Sequence, residues 1–315
     1  MTLILIMQAG LVVAVLLWLA VTRAPHATWA AMLCGAGALV LVGVGLVGIW
    51  LYPPLWLMAL LSGAGFCIIA LRLWRGARRE HARGVCQAAL RLGGAPMWAI
   101  VGAFLIWQGV SGRVAPRGET LDLAAPLRGQ GFCSISGGAS PLLNFHMETL
   151  AVGKEAYRGQ SYGADFIALS PLGLRTQDAH LLEAAPHDPR AYRVFGANVH
   201  APCAGEVVVA RDGMADQPAG EPNFSMMAGN HVVLRCDGHD VLLAHFRQGS
   251  VSVSQGQRVA VGAVLGQVGN TGASDEPHLH VSVQRAVDPQ PSFADAPVHV
   301  TFGGRFMPRG ACLSS

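Results

Sequence analysis

Gly229-Asn230-His231-Val232-Val233-Leu234-Arg235-Cys236-Asp237-Gly238-His239-Asp240-Val241-Leu242-Leu243-Ala244-His245 is the stretch that decides the fold. Two apolar, β-branched runs, His231 to Arg235 and Val241 to His245, flank the turn residues Cys236-Asp237-Gly238, so they read as paired antiparallel strands. The same pattern recurs from Phe132 onward, in Gly205 to Val209, Arg258 to Val261 and Leu279 to Val283, with Gly269-Asn270-Thr271-Gly272 as a further turn. Short strands at close spacing predict a compact, mostly antiparallel β-sheet domain with little helix. Residues 212–229 hold three Met, two Pro and several Gly. They read either as a loop bordering a groove or as a mobile surface insertion.

Upstream the chain changes character. Residues 1–112 contain seven Arg and one acid, Glu80, whereas residues 113–315 carry fifteen basic against eighteen acidic side chains. A basic, apolar segment joined to a mildly acidic one predicts a membrane anchor carrying a water-soluble domain and gives no reason to propose nucleic acid as a partner. No charge occurs from Met1 to Thr22 or from Ala24 to Leu71. The Pro53-Pro54 pair divides the second run, giving expected spans at 1–22, 28–50 and 55–74, with a turn at 51–54. Residues 92–112 make a fourth, weaker span, whose Trp98 and Trp107 are expected near the interfaces. Arg72, Arg75, Arg78, Arg79, Arg83 and Arg91 crowd the connection before it, so that connection is expected in the cytoplasm and everything after Gly112 outside. Met1-Thr2-Leu3 lacks the basic start of a signal peptide, so the first span is expected to be retained. No Asp, Glu or Lys falls in a span, which favours a tether over a transporter. The expected organisation is thus a multi-span α-helical anchor at 1–112, a linker at 113–130 and an extracytoplasmic domain at 131–315.

Of seven cysteines, Cys133, Cys203, Cys236 and Cys312 lie in the outer part, enough for two disulfides in any of three pairings. None has the close spacing of a zinc-binding cysteine pair.

Histidine carries the chemistry, because nine of the twelve lie between His180 and His299. In a strand, His278 and His280 project from one face and can converge on one ion or substrate. Asp165, His245 and His146 add groups of suitable type, since a carboxylate and two imidazoles bind zinc and leave a fourth position for water. Each has a plainer reading: Asp165 as a turn acid beside Gly163, His245 as a core histidine, His278 and His280 as surface residues. His200 and His231 read as surface or strand-edge packing, and Glu276 as a solvent-exposed loop acid.

Taken in order, Gly229-Asn230-His231-Val232-Val233-Leu234, Ala244-His245-Phe246, Gly256-Gln257-Arg258-Val259, Gly262-Ala263-Val264-Leu265-Gly266, Gly269-Asn270-Thr271-Gly272 and Pro277-His278-Leu279-His280 resemble the lysostaphin-type or LytM-type zinc endopeptidases, metallopeptidase family twenty-three. The resemblance covers nearly all of residues 121–310. It implies zinc ligation by Asp165 and His280, with His245 and His278 as the catalytic pair beside the ion. The family commonly places its first ligand, a His, where this chain has Ser161, preceded by Gln160. Relatives with an upstream Asn-x-His resemble Asn144-Phe145-His146, which implies His146 as the third ligand.

By the same resemblance the substrate is peptidoglycan, cut in its peptide cross-links on the outer side of the cytoplasmic membrane. The rival within the family is an inactive LytM-type domain that binds and activates a cell-wall amidase, for which only Ser161 speaks. A lipoyl- or biotinyl-type carrier shares the glycine-punctuated strands of Gly256 to Val268. It needs a lysine on a hairpin tip, and the one lysine, Lys154, is elsewhere.

Overall fold

The computed structural model describes residues 2–24, 26–50, 54–79, 94–180, 183, 185–287 and 292–314. Residues 51–53 of the expected turn, together with Arg83, Cys86 and Arg91 of the basic connection, lie outside the described residues. The chain divides into two compact units, Met1–Ser111 and Gly112–Ser315.

The first unit is helical: α1 (Thr2–Val21), α2 (Ala27–Val47), α3 (Leu55–Arg79) and α4 (Gly94–Ser111). Three stretches, Ala27–Val47, Leu55–Ala77 and Gly94–Ser111, are long and apolar enough to cross a membrane, and Ile6–Val21 is a shorter apolar stretch. That is one fewer than the four spans expected, among the described residues. Helix α3 runs past the expected end of its span to Arg79, since Leu, Ala and Arg are all good helix formers. Helices α2 and α4 meet through glycine: a Cβ on Gly102 would lie 2.6 Å from the Leu39 carbonyl carbon, and one on Gly43 2.6 Å from Leu105 Cβ. Missing side chains let the two backbones approach. The Arg72 guanidinium donates to the carbonyls of Ala20 and Thr22, so the last turn of α1 shares an end with the basic stretch of α3.

The second unit is the sheet-rich one. Its strands are β1 (Thr120–Leu123), β2 (Phe132–Ser136), β3 (Ala164–Ala168), β4 (Asn198–His200), β5 (Gly205–Arg211), β6 (His231–Cys236), β7 (His239–Ala244), β8 (Arg258–Val259), β9 (Val264–Gln267), β10 (Leu279–Arg285), β11 (Pro297–Phe302) and β12 (Arg305–Phe306). The main sheet runs β1-β11-β10-β7-β6-β5-β8, with β12 on β11 and β3 joining β10 to β2, while β4 and β9 form a separate pair. Only β1 and β11 pair in parallel among the described strands. Helix in this unit is confined, among the described residues, to 3-10 turns of at most six residues. Strand therefore dominates the second unit, but the mostly-β description fails for the whole chain, because the helices of the first unit hold more residues than the strands of the second. Thr120–Leu123 falls within the stretch read as linker, yet it forms a sheet edge with Leu123 buried.

The deciding hairpin is β6–β7, in register from His231 opposite Ala244 to Cys236 opposite His239. Asp237 and Gly238 take φ of 47° and 74°, the two left-handed residues of the turn that suits the strands' twist. Val232, Leu234, Val241, Leu243, Leu279, Val281 and Phe166 form one buried core with Leu265 and Phe302. Each such side chain contributes about 1.5–3 kcal/mol on burial. Leu279, Val281 and Val283 face this core, which leaves His280, Ser282 and Gln284 on the opposite face of β10. The disulfides join Cys133 to Cys312 and Cys203 to Cys236.

Candidate metal centre

Strand register assembles the site. Strand β10 lies between β3 and β7, with His280 opposite Asp165 on one side and Ala244 on the other. Asp165 is thus a strand residue, not a turn acid. His245 follows Ala244 as β7 ends, and His278 precedes β10 by one residue on the face of His280. Gly163 permits the approach, since a Cβ there would stand 2.8 Å from His280 Cε1.

His146 arrives from outside the sheet, on a 3-10 turn, Phe145–Leu150. Asn144 caps it: the side-chain oxygen accepts from the His146 amide at 3.1 Å, while Nδ2 donates to the carbonyls of Gly138 and Gly163, each at 3.2 Å. The cap ties the turn to the start of β3.

The Asp165 carboxylate sits at the centre. Oδ2 lies 2.9 Å from His146 Nε2, and Oδ1 lies 2.9 Å from His280 Nδ1 and 3.7 Å from His278 Nε2. His280 Nε2 is held 3.0 Å from Ser282 Oγ, which turns Nδ1 toward the carboxylate. His245 and His278 form a second pair, ring centroids 4.6 Å apart. His245 Nδ1 donates to the Thr271 carbonyl at 2.7 Å and His278 Nδ1 to the Glu276 carbonyl at 2.8 Å, so both present Nε2 to the site. His245 takes φ of 67°, a strained backbone state of the kind that collects at functional sites.

Electrostatics follow from this crowding. Burial opposes charge on Asp165, but the imidazoles of His146, His278 and His280 outweigh it and hold the carboxyl well below its usual range. Burial also opposes charge on His146, and Asp165 reverses that and raises it. His280 is pushed down to about 4 by burial and by His146, and His245 falls well below its ordinary value through burial and the neighbouring rings of His278 and His280. Donor atoms of His146, Asp165 and His280 lie within 4.8 Å of one another. Two imidazoles and one ionised carboxylate, with one imidazole anchored through its far nitrogen, are the donor set that zinc takes from proteins. The residues fit such an ion.

All five residues singled out in the sequence therefore come together in this one place. Ser161 does not join them: fully buried, its hydroxyl donates to the Arg158 carbonyl at 2.6 Å and lies 2.7 Å from Thr149 Oγ1. Two sequence expectations fail nearby. Glu276 is no exposed loop acid, because its carboxylate is clamped by Arg175 and largely buried. For His231 it is the surface alternative that fails, since the ring is buried at the start of β6 and donates Nδ1 to the Gly229 carbonyl at 2.7 Å. The 212–229 loop is bonded to the segment before His278, through Gln217 to Asn270, Gly220 to Asp275 and Asn223 to Gly272. Thr271, Ser274 and Ser282, which orient the imidazoles, were missed as functional residues; only Ser282 carried a sequence signal, its two-residue spacing from His280.

Residues 190–291 match the model of peptidase family M23. The chain carries an M23 peptidase domain. The matched stretch includes His245, His278 and His280, while Asp165 and His146 precede it. No curated protein matches the chain. Among solved structures it is similar to a zinc-containing peptidase from Vibrio cholerae, at 24% identity over 38% of this chain and 26% of that one, TM-score 0.25. It is similar to the catalytic domain of lysostaphin from Staphylococcus simulans, at 22% identity over 41% of this chain and 69% of that one, TM-score 0.26. A variant of the catalytic domain of EnpA, a prophage-encoded M23 protein from Enterococcus faecalis, is 17% identical over 56% of this chain and 93% of its own, TM-score 0.32. The chain thus spans about a quarter of the length of the Vibrio structure.

Proposed function

We propose that this protein is a membrane-anchored zinc metalloendopeptidase that hydrolyses peptide cross-links of peptidoglycan on the outer side of the cytoplasmic membrane. The observation that carries the reading is the convergence of His146, Asp165 and His280 on one point, with the bare nitrogens of His245 and His278 beside it. The first three would hold the ion. Bound there, zinc would supply Lewis acidity for a peptide carbonyl and for a water molecule. His245 and His278 orient the attacking water, take up its proton through Nε2 and return a proton to the leaving amine. As imidazolium, either ring also stabilises the oxyanion. The apolar helices and the Arg-rich stretch of the first unit support the anchor and its orientation. Two disulfides in the second unit support an oxidising compartment.

The test is zinc per molecule in the full chain, purified in detergent, beside its His146→Ala variant, followed by digestion of isolated peptidoglycan. Near-stoichiometric zinc in the parent, its loss in the variant and release of cross-link peptides are expected. A parent without zinc or peptide release would overturn the reading in favour of an amidase activator, with Ser161 marking the lost ligand.

A further inference from the structure

We propose that the buried Arg175–Glu276 ion pair is a positioning device that fixes the tautomer and orientation of His278. Arg175 Nε donates to Glu276 Oε2 at 2.6 Å and Nη2 donates to Oε1 at 2.9 Å, a fork that fixes direction as well as distance. The Arg175 side chain is only 4% exposed and the Glu276 side chain 13%. A buried pair is weak evidence for stability, because desolvation offsets the attraction, so its placement points to a geometric role.

Both ends of the pair are anchored. Arg193 N donates to the Arg175 carbonyl at 2.9 Å, Thr176 bridges to Tyr192, and the guanidinium lies 5.6 Å over the Tyr192 ring. At the other end, the Glu276 carbonyl accepts from His278 Nδ1 at 2.8 Å and from Ser274 Oγ at 2.9 Å. Ser274 Oγ in turn lies 2.8 Å from Asn270 Oδ1. The residue whose side chain Arg175 grips is therefore the one whose backbone oxygen holds the imidazole.

A fixed carbonyl matters because His278 Nδ1 lies against two oxygens, the Glu276 carbonyl at 2.8 Å and Ser274 Oγ at 3.2 Å. Of these only the carbonyl must accept, so it holds the proton on Nδ1 and leaves Nε2 toward the site, 3.7 Å from Asp165 Oδ1. That arrangement lasts only while Glu276 stays in place. With the proton on Nδ1, Nε2 keeps the lone pair that a proton acceptor needs. The effect on turnover rests on the peptidase reading above, but the tautomer does not.

The experiment is histidine side-chain ¹⁵N NMR of the full chain in detergent, with the His278 signals assigned by their absence in His278→Ala. The parent is expected to show His278 protonated at Nδ1. Glu276→Gln and Arg175→Lys, which weaken the fork while keeping side-chain length, are expected to show a mixture of tautomers. Their kcat should fall about 10- to 100-fold with KM and zinc content little changed. Arg175→Met/Glu276→Met removes both charges, so no charge is left unpaired; it should fold and still show the mixture. An unchanged Nδ1-protonated His278 in folded variants would overturn the proposal. Because the NMR readout needs no substrate, an inactive parent would count against the peptidase reading and leave this test standing.

Discussion

At the scale of single residues, the division of labour among the histidines depends on which nitrogen each one has left. His280 commits Nε2 to Ser282 and faces Asp165 with Nδ1, whereas His278 and His245 commit Nδ1 to backbone carbonyls and offer Nε2. Residues two apart on one strand face thus present different atoms to the same point, which suits one to ligation and the other to proton transfer. His280→Ala is expected to abolish both zinc retention and hydrolysis, while His278→Ala keeps zinc and loses hydrolysis. Metal analysis of both variants after dialysis against a weak chelator, beside a peptidoglycan digest, checks this. Equal zinc loss in the two would sink the assignment. Distance supports the contrast, since His280 Nδ1 lies within hydrogen-bond reach of Asp165 Oδ1, at 2.9 Å, whereas His278 Nε2 lies at 3.7 Å.

Among the elements, strands β3, β7 and β10 deliver four of the five residues, and the capped 3-10 turn delivers the fifth. That turn is the most fragile part, because six residues of 3-10 helix hold their shape poorly without a cap. Asn144→Ala removes the bond to the His146 amide and the two bonds from Nδ2 to Gly138 and Gly163. It is expected to cost about 1–2 kcal/mol of stability and to weaken zinc binding more than His278→Ala does. Chemical unfolding and competition with a fluorescent chelator would measure the two effects; zinc affinity equal to the parent's would show that the turn keeps its place without the cap. The same contrast explains what was legible in the sequence. Strands and the His278–His280 face follow from two-residue alternation, and the β6–β7 turn from Asp237-Gly238, because those signals are local. His146 reached the site in the sequence reading only through a family resemblance, since no periodicity brings a 3-10 turn to a strand 19 residues on. Glu276 was misread because its partner Arg175 is 101 residues away, a separation that no local pattern spans. The spans were legible as apolar runs, but α3 ends where helix propensity carries it, beyond the point where apolarity stops.

Across the whole molecule, covalent links join parts of the second unit that sequence distance separates. Cys133–Cys312 closes 179 residues and ties β2, the partner of β3, to the end of the chain, while Cys203–Cys236 closes 33 and ties the approach to β5 to the end of β6. If cross-links act by restricting the unfolded chain, each contributes about 2–5 kcal/mol, and the longer loop contributes about 1.5 kcal/mol more than the shorter. Cys133→Ser/Cys312→Ser should therefore destabilise the second unit more than Cys203→Ser/Cys236→Ser. The choice of probe matters, since all seven tryptophans lie between Trp18 and Trp107, in the first unit, and their fluorescence does not report on the sheet. Hydrogen exchange of the β6 and β7 amides, followed by mass spectrometry of the full chain in detergent, reads the right part, because these central strands open only with the unit as a whole. Faster exchange in the Cys133/Cys312 variant than in the Cys203/Cys236 variant is the expected order. The reverse order would mean that the short link acts on the native hairpin directly, since Cys236 is the last residue of β6, and that loop-closure entropy is not what these disulfides supply.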